Sequence, residues 1–141
     1  MQLRDYNPGI PYPGQWGFFG GSIEKGEVPE QTARRELFEE IGYSAKALNK
    51  LDTDRFYGSD NIVIYSFSCF LATSIKTLSL TEGLDLGLFT QDEIKSKRLY
   101  SCKMNKVFPV IPHIYIENTI GKLAKSINSE CELSSAIGPK I

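Results

Sequence analysis

From Pro29 onward, apolar residues recur every four positions, at Ala33, Leu37 and Ile41, the spacing of one face of a helix. Pro29 suits a first helical turn and Gly42 a C-terminal stop, so the pattern predicts a helix over 29–41. The period then shortens. Asn61 to Thr73 is rich in β-branched and aromatic residues in partial alternation and reads as a strand. Ala45 to Tyr57 is a weaker strand candidate and Leu84 to Phe89 a short one. Thr90-Gln91-Asp92-Glu93 has the form of a capping box opening a short helix. Ile116, Ile120, Leu123 and Ile127 restore a helical stripe in a last helix from about Pro112 to about Ile127, weakened by Gly121.

Between these elements, turn formers dominate. Asn7-Pro8-Gly9 and Pro11-Tyr12-Pro13-Gly14 make Asp5 to Gly14 a loop. Asn128 to Ile141 is polar, carries Gly138-Pro139 and reads as a loose tail, leaving 1–127 as one domain. Strands alternating with helical patterns indicate an α/β fold.

Composition narrows the function classes. A chain of 141 residues, 41% hydrophobic and 23% charged, is the size and make-up of one globular domain. A formal net charge of −1 gives no sign of a general nucleic-acid partner or a basic membrane face. No apolar run is long enough to cross a bilayer, and no signal-peptide pattern follows Met1. Cys69, Cys102 and Cys131 are odd in number and lack metal-type spacing, which indicates reduced thiols and a cytoplasmic setting.

The 29–41 segment also carries Glu36, Glu39 and Glu40 at i, i+3 and i+4. Those spacings put three like charges on one helix face, where they repel. Divalent cations such as Mg²⁺ or Mn²⁺, which take oxygen ligands, supply a reason to gather them. The three carboxylates lie off the stripe of Ala33, Leu37 and Ile41, so one helix is expected to have a core face and a metal face.

The whole stretch reads Gly21, five residues, Glu27, seven residues, then Arg35-Glu36-Leu37-Phe38-Glu39-Glu40-Ile41-Gly42-Tyr43. It resembles the signature of the Nudix hydrolases, G-x5-E-x7-R-E-U-x-E-E-x-G-U with U a bulky apolar residue. Tyr43 fills the last U with a ring where aliphatic residues are commoner. Trp16-Gly17-Phe18-Phe19-Gly20-Gly21 resembles the family's W-x-x-P-G-G lead-in, with Phe19 in place of Pro.

The resemblance implies an α/β/α sandwich with a mixed sheet. It implies hydrolysis of a nucleoside diphosphate linked to another group, with Mg²⁺ or Mn²⁺ held by Glu36, Glu39, Glu40 and the carbonyl of Gly20. Glu39, Glu40, Glu82 and Arg35 form the implied catalytic set, with Glu40 able to polarise the attacking water. Glu27 pairs with Arg35 and orients the helix, although Arg35 could instead touch phosphate. Glu82, in Thr81-Glu82-Gly83, resembles the loop glutamate of MutT-type members, a metal ligand or general base; otherwise it is an exposed turn residue. His113, the lone histidine, reads as structural. Trp16, Phe18, Tyr57 and Phe67 are each either core or base-stacking residues.

The expected substrate is a nucleotide, acted on by a monomer or homodimer. ADP-ribose-specific members tend to carry a proline a little over a dozen residues after the signature, and none occurs between Tyr43 and Val107. A short chain without added domains fits MutT-type enzymes acting on nucleoside triphosphates, oxidised ones included; a nucleotide sugar stays open. A nucleotide-sensing module without cleavage is the competing class, and non-catalytic relatives usually lose one or more of the three carboxylates. Family members have a full strand before the lead-in loop, whereas here only Met1 to Arg4 precede it. Either the chain starts late or the domain lacks most of that strand.

Overall fold

The computed structural model describes residues 1–56 and 61–136, without the side chains of 52, 113–115 and 128–136. Tyr57 and the side chains of His113 and Cys131 therefore lie outside the described residues.

Strands β1 (Gln2–Leu3), β2 (Trp16–Gly17) and β5 (Asp85–Leu86) form an antiparallel sheet in the order β2-β1-β5. The Asp5–Gly14 segment is the predicted loop, closed at its base by the Arg4 N–H to Gln15 O at 3.0 Å. β3 (Asn49–Phe56) and β4 (Ile62–Ser68) make an antiparallel hairpin with a register shift between Lys50 and Asp52. A second hairpin pairs β6 (Arg98–Ser101) with β7 (Lys106–Pro109), and an isolated parallel bridge from Trp16 to Val110 makes the strand pairing mixed.

The helices are α1 (Pro29–Ile41), α2 (Gln91–Lys95) and α3 (His113–Ala136). α1 packs against β4 and α3 against β3, giving the α/β/α sandwich. α3 is tied down by Lys122 Nζ to Asp54 Oδ1 at 2.6 Å and runs past Ile127 to Ala136, farther than its apolar stripe indicates.

The core centres on Leu3, Trp16, Ile94, Leu99, Phe108 and Ile116. Trp16 is fully buried, lies edge-on to Phe89 at 4.8 Å and donates its indole N–H to Leu99 O at 3.1 Å. It is therefore a core residue with a satisfied polar tip, not a stacking platform. Phe18 packs against the same cluster. α2 begins as its capping box predicts: the Glu93 N–H donates to Thr90 Oγ1, and the Thr90 N–H donates to Glu93 Oε2.

The ends of α1 also follow the sequence. At its N-terminus, Val28 donates its N–H to Gln31 Oε1 at 2.9 Å. At its C-terminus, Gly42 takes φ 64°, a left-handed conformation that glycine adopts without strain, and its N–H reaches Phe38 O at 2.9 Å. The phase of α1 differs from the expectation in one respect. Its buried residues are Thr32, Glu40 and Ile41, while Leu37 is half-buried and Phe38 exposed. Glu40 is thus part of the packed face rather than off it, because that face meets β1 and the Gly20 turn, both of which offer it hydrogen-bond donors.

Candidate active site

Arg35 is the hub of the charged face of α1. Its Nε and Nη2 donate to Glu27 Oε1 and Oε2 at 2.8 and 3.0 Å, a bidentate pair. Nη2 also donates to Ser22 O at 3.1 Å. Nη1 bridges Glu36 Oε1 at 2.7 Å and Glu39 Oε2 at 3.0 Å. Glu27 accepts further bonds from the Glu24 N–H at 3.1 Å and Thr32 Oγ1 at 2.8 Å. The Arg35 fork, then the Glu24 and Thr32 donors, hold its carboxyl down to about 2. The same bonds, that to Glu27 first, make Arg35 still harder to deprotonate.

Glu40 is in a different environment. Only 4% of it is exposed. Its Oε1 accepts from Gln2 Nε2 at 2.5 Å and its Oε2 from the Gly20 N–H at 3.1 Å. Burial pushes its carboxyl up to about 7; the Gln2 and Gly20 bonds oppose this, and the charges of Glu36 and Glu82 add to it.

Gly20-Gly21 shapes the site from below. A Cβ on Gly21 would lie 2.3 Å from Glu36 Oε1, so only glycine lets that carboxylate settle against the turn. Gly20 meets Glu40 through its N–H.

Glu82 is exposed, on a segment laced to the end of α1. The Ser79 N–H reaches Ile41 O at 3.1 Å and the Thr81 N–H reaches Glu40 O at 2.9 Å, while Thr81 Oγ1 bonds Glu39 O. These bonds satisfy helix-end carbonyls that would otherwise lack partners. Gly83, at φ 91°, donates its N–H to Asp5 Oδ2 at 3.1 Å, and a Cβ there would lie 2.7 Å from Leu3 O. The loop glutamate is thus fastened on both sides next to Glu40.

The structure brings Glu27, Arg35, Glu36 and Glu39 into one ionic network and places Glu40, Gly20 and Glu82 beside it. Among the described residues, no group of three or more His, Cys, Asp or Glu side chains is gathered as a metal cage. Arg35 occupies the centre of two of the carboxylates, and Glu40 turns towards Gln2 and Gly20. The donor set nevertheless suits a hard divalent cation. All its atoms are oxygens, Glu36 and Glu39 already converge on one positive group, and each carboxylate oxygen can accept more than one partner.

Sequence reasoning missed Gln2, Thr81 and Asp5. Thr81 and Asp5 lie within segments already singled out, Thr81-Glu82-Gly83 and Asp5 to Gly14, whereas nothing in the sequence marks Gln2 as a site residue. Tyr43 also has a role that the signature does not anticipate: its hydroxyl donates to Phe70 O at 2.8 Å and accepts from the Ala72 N–H at 3.1 Å, pinning the chain after β4 to the end of α1.

Residues 2–107 match the family model described as the NUDIX domain. Over 71 residues the chain is 42% identical to an ADP-ribose pyrophosphatase of Bacillus subtilis, covering 50% of this chain and 37% of that one. It is 46% identical over 43 residues to an oxidized purine nucleoside triphosphate hydrolase of Danio rerio, covering 30% and 28%. It is 44% identical over 69 residues to an 8-oxo-dGTP diphosphatase of Proteus vulgaris, covering 49% and 59%. The chain thus spans less than two thirds of the length of each of these relatives. No solved structure gives a significant match.

Proposed function

Because the chain belongs to the NUDIX family, we propose that it hydrolyses a phosphoanhydride bond of a nucleoside polyphosphate, with nucleoside triphosphates, oxidised ones included, as the first substrate class. One observation carries this reading: Glu36, Glu39 and Glu40 are all retained on a helix whose ends, glycine turn and arginine hub hold them in place.

Glu36, Glu39 and Glu40, with the carbonyl of Gly20, would hold Mg²⁺ or Mn²⁺. When bound, such a cation neutralises phosphate oxygens and lowers the pKa of coordinated water. Glu40, held between Gln2 and the Gly20 N–H, is the first candidate to accept the proton of the attacking water. Glu82 is the second candidate for that task, on a loop beside the site. Arg35 and Glu27 orient the carboxylates and leave the phosphate to other groups. Among the described residues no helix is long and apolar enough to cross a membrane. We assign no nucleic-acid or membrane partner and a monomeric or homodimeric state.

A second reading has a specific observation behind it. The likeness to a protein named ADP-ribose pyrophosphatase favours a nucleoside diphosphate linked to a second group, although the lack of proline between Tyr43 and Val107 weighs against it. The test is a phosphate- and pyrophosphate-release screen with Mg²⁺ and Mn²⁺ over nucleoside triphosphates, 8-oxo-dGTP, ADP-ribose and nucleotide sugars. Pyrophosphate release from triphosphates supports the first reading, and cleavage of ADP-ribose alone the second. No turnover of any of them, with folded protein, would leave a nucleotide-sensing module.

A further inference from the structure

Gln2 is 3% exposed on β1, the middle strand of its sheet, so its backbone is held from both sides. A buried side-chain amide needs partners, and this one has found the site. Its Nε2 donates to Glu40 Oε1 at 2.5 Å. Its Oε1 faces the Glu82 loop, where it would lie 3.0 Å from a Cβ added to Gly83. Glu40 is held at its other oxygen by the Gly20 N–H. The carboxylate is therefore clamped between a strand amide and a turn amide, and the strand amide also abuts the loop that carries Glu82.

From this geometry we propose that Gln2 is a positioning residue that fixes the orientation of the Glu40 carboxylate for divalent-cation binding. The inference rests on the proposed reading for Glu40 as a ligand of the cation and for the turnover readout. Groups that orient a metal-ligating carboxylate typically contribute about 10–100-fold to metal affinity or activity. Gln2→Met keeps the length and loses the donor; Gln2→Asn keeps the amide and withdraws it from Glu40.

The experiment titrates Mn²⁺ into the nucleotide-free wild type and both variants by calorimetry. It is joined by thermal melts without metal and by steady-state kinetics on the best substrate of the screen. We expect Mn²⁺ affinity to fall about 10–100-fold in both variants, and kcat to fall with it while KM for nucleotide holds. A purely structural Gln2 would lower the melting temperature and leave Mn²⁺ affinity and the kcat of folded protein as in wild type; that result overturns the inference. So does a wild type that binds no Mn²⁺. If the wild type binds Mn²⁺ but turns over no nucleotide, the hydrolase reading fails while the titration still decides the part played by Gln2. Should Gln2→Met not fold, Gln2→Asn gives the same decision.

Discussion

The Arg35 guanidinium meets the Glu27 carboxylate through two parallel bonds, Nε to Oε1 at 2.8 Å and Nη2 to Oε2 at 3.0 Å. Only a planar fork can do this while a third nitrogen bridges Glu36 and Glu39. Arg35→Lys should therefore lower kcat about 10–100-fold with the fold retained. The stability that Glu27 contributes is present above its unfolded value of 4.5 and is lost as pH falls towards about 2. In Arg35→Lys the Glu27 carboxyl should be held down less, so its contribution is smaller and is used up at a higher pH than in wild type. Acid melts of both proteins, with kinetics at neutral pH, check the two parts together.

Gly21→Ala separates folding from function. The added Cβ would sit 2.3 Å from Glu36 Oε1, the free end of a flexible side chain, so Glu36 can move aside without disturbing the backbone. The melting temperature should change little, while Mg²⁺ half-saturation rises and turnover falls. Wild-type kinetics would show that Glu36 does not need its seat on Gly21.

Burial raises the Glu40 carboxyl from 4.5 to about 7, so the folded state holds its proton more tightly than the unfolded one. The contribution of Glu40 to stability is complete below pH 4.5 and is lost as pH rises through about 7. A bound cation favours the charged form. Mg²⁺ should therefore raise the melting temperature more at about pH 8 than at about pH 5.5, and Glu40→Gln should abolish that difference. Thermal melts at both pH values, with and without Mg²⁺, read it directly. The same variant should lose about 10²–10⁴-fold in kcat if Glu40 is the base.

Ile41 is 3% exposed, whereas Leu37 is half-buried along a cavity of about 130 Å³ also lined by Phe19 and Tyr43. Ile41→Ala should cost about 2–5 kcal/mol, and Leu37→Ala less, about 1–2 kcal/mol. Urea melts that reverse this order would contradict the observed phase of α1.

Glu82→Gln should lower kcat with little change in KM if the loop carboxylate acts in the chemical step. Unchanged steady-state kinetics would make Glu82 an exposed turn residue and leave Glu40 as the group that activates water.

Where local chemistry decides, the sequence was legible. Pro29 and Gly42 bound α1 because one suits the first turn and the other the left-handed stop, and Thr90 and Glu93 open α2 by bonding each other's backbone. β4 showed through its β-branched and aromatic residues, whereas β3, with Thr53 as its one β-branched residue, was only a weak strand pattern. The β6–β7 hairpin did not show, although buried Leu99 and Ser101 alternate with exposed Arg98 and Tyr100; the pattern is short, and one of its inward residues is a serine. Periodicity places Glu40 off the packed face of α1 because a carboxylate counts as polar in any pattern. What allows its burial, the amides of Gln2 and Gly20, comes from residues 38 and 20 positions away. Gln2 itself was invisible for the same reason: its importance lies wholly in a partner that only the fold supplies.

The bonds from Ser79 and Thr81 to the last carbonyls of α1 have a consequence for how the protein is made. Thr81 lies 42 positions beyond Glu39, so while the chain emerges from the ribosome the segment bearing the three carboxylates is present well before the residues that close the final turn of its helix. That turn closes only after the entire β3–β4 hairpin has been synthesised. A nascent or proteolysed product ending before Ser79 would carry every residue of the signature and still lack a finished site, so possession of the motif and competence to act are acquired at different moments in the life of the chain.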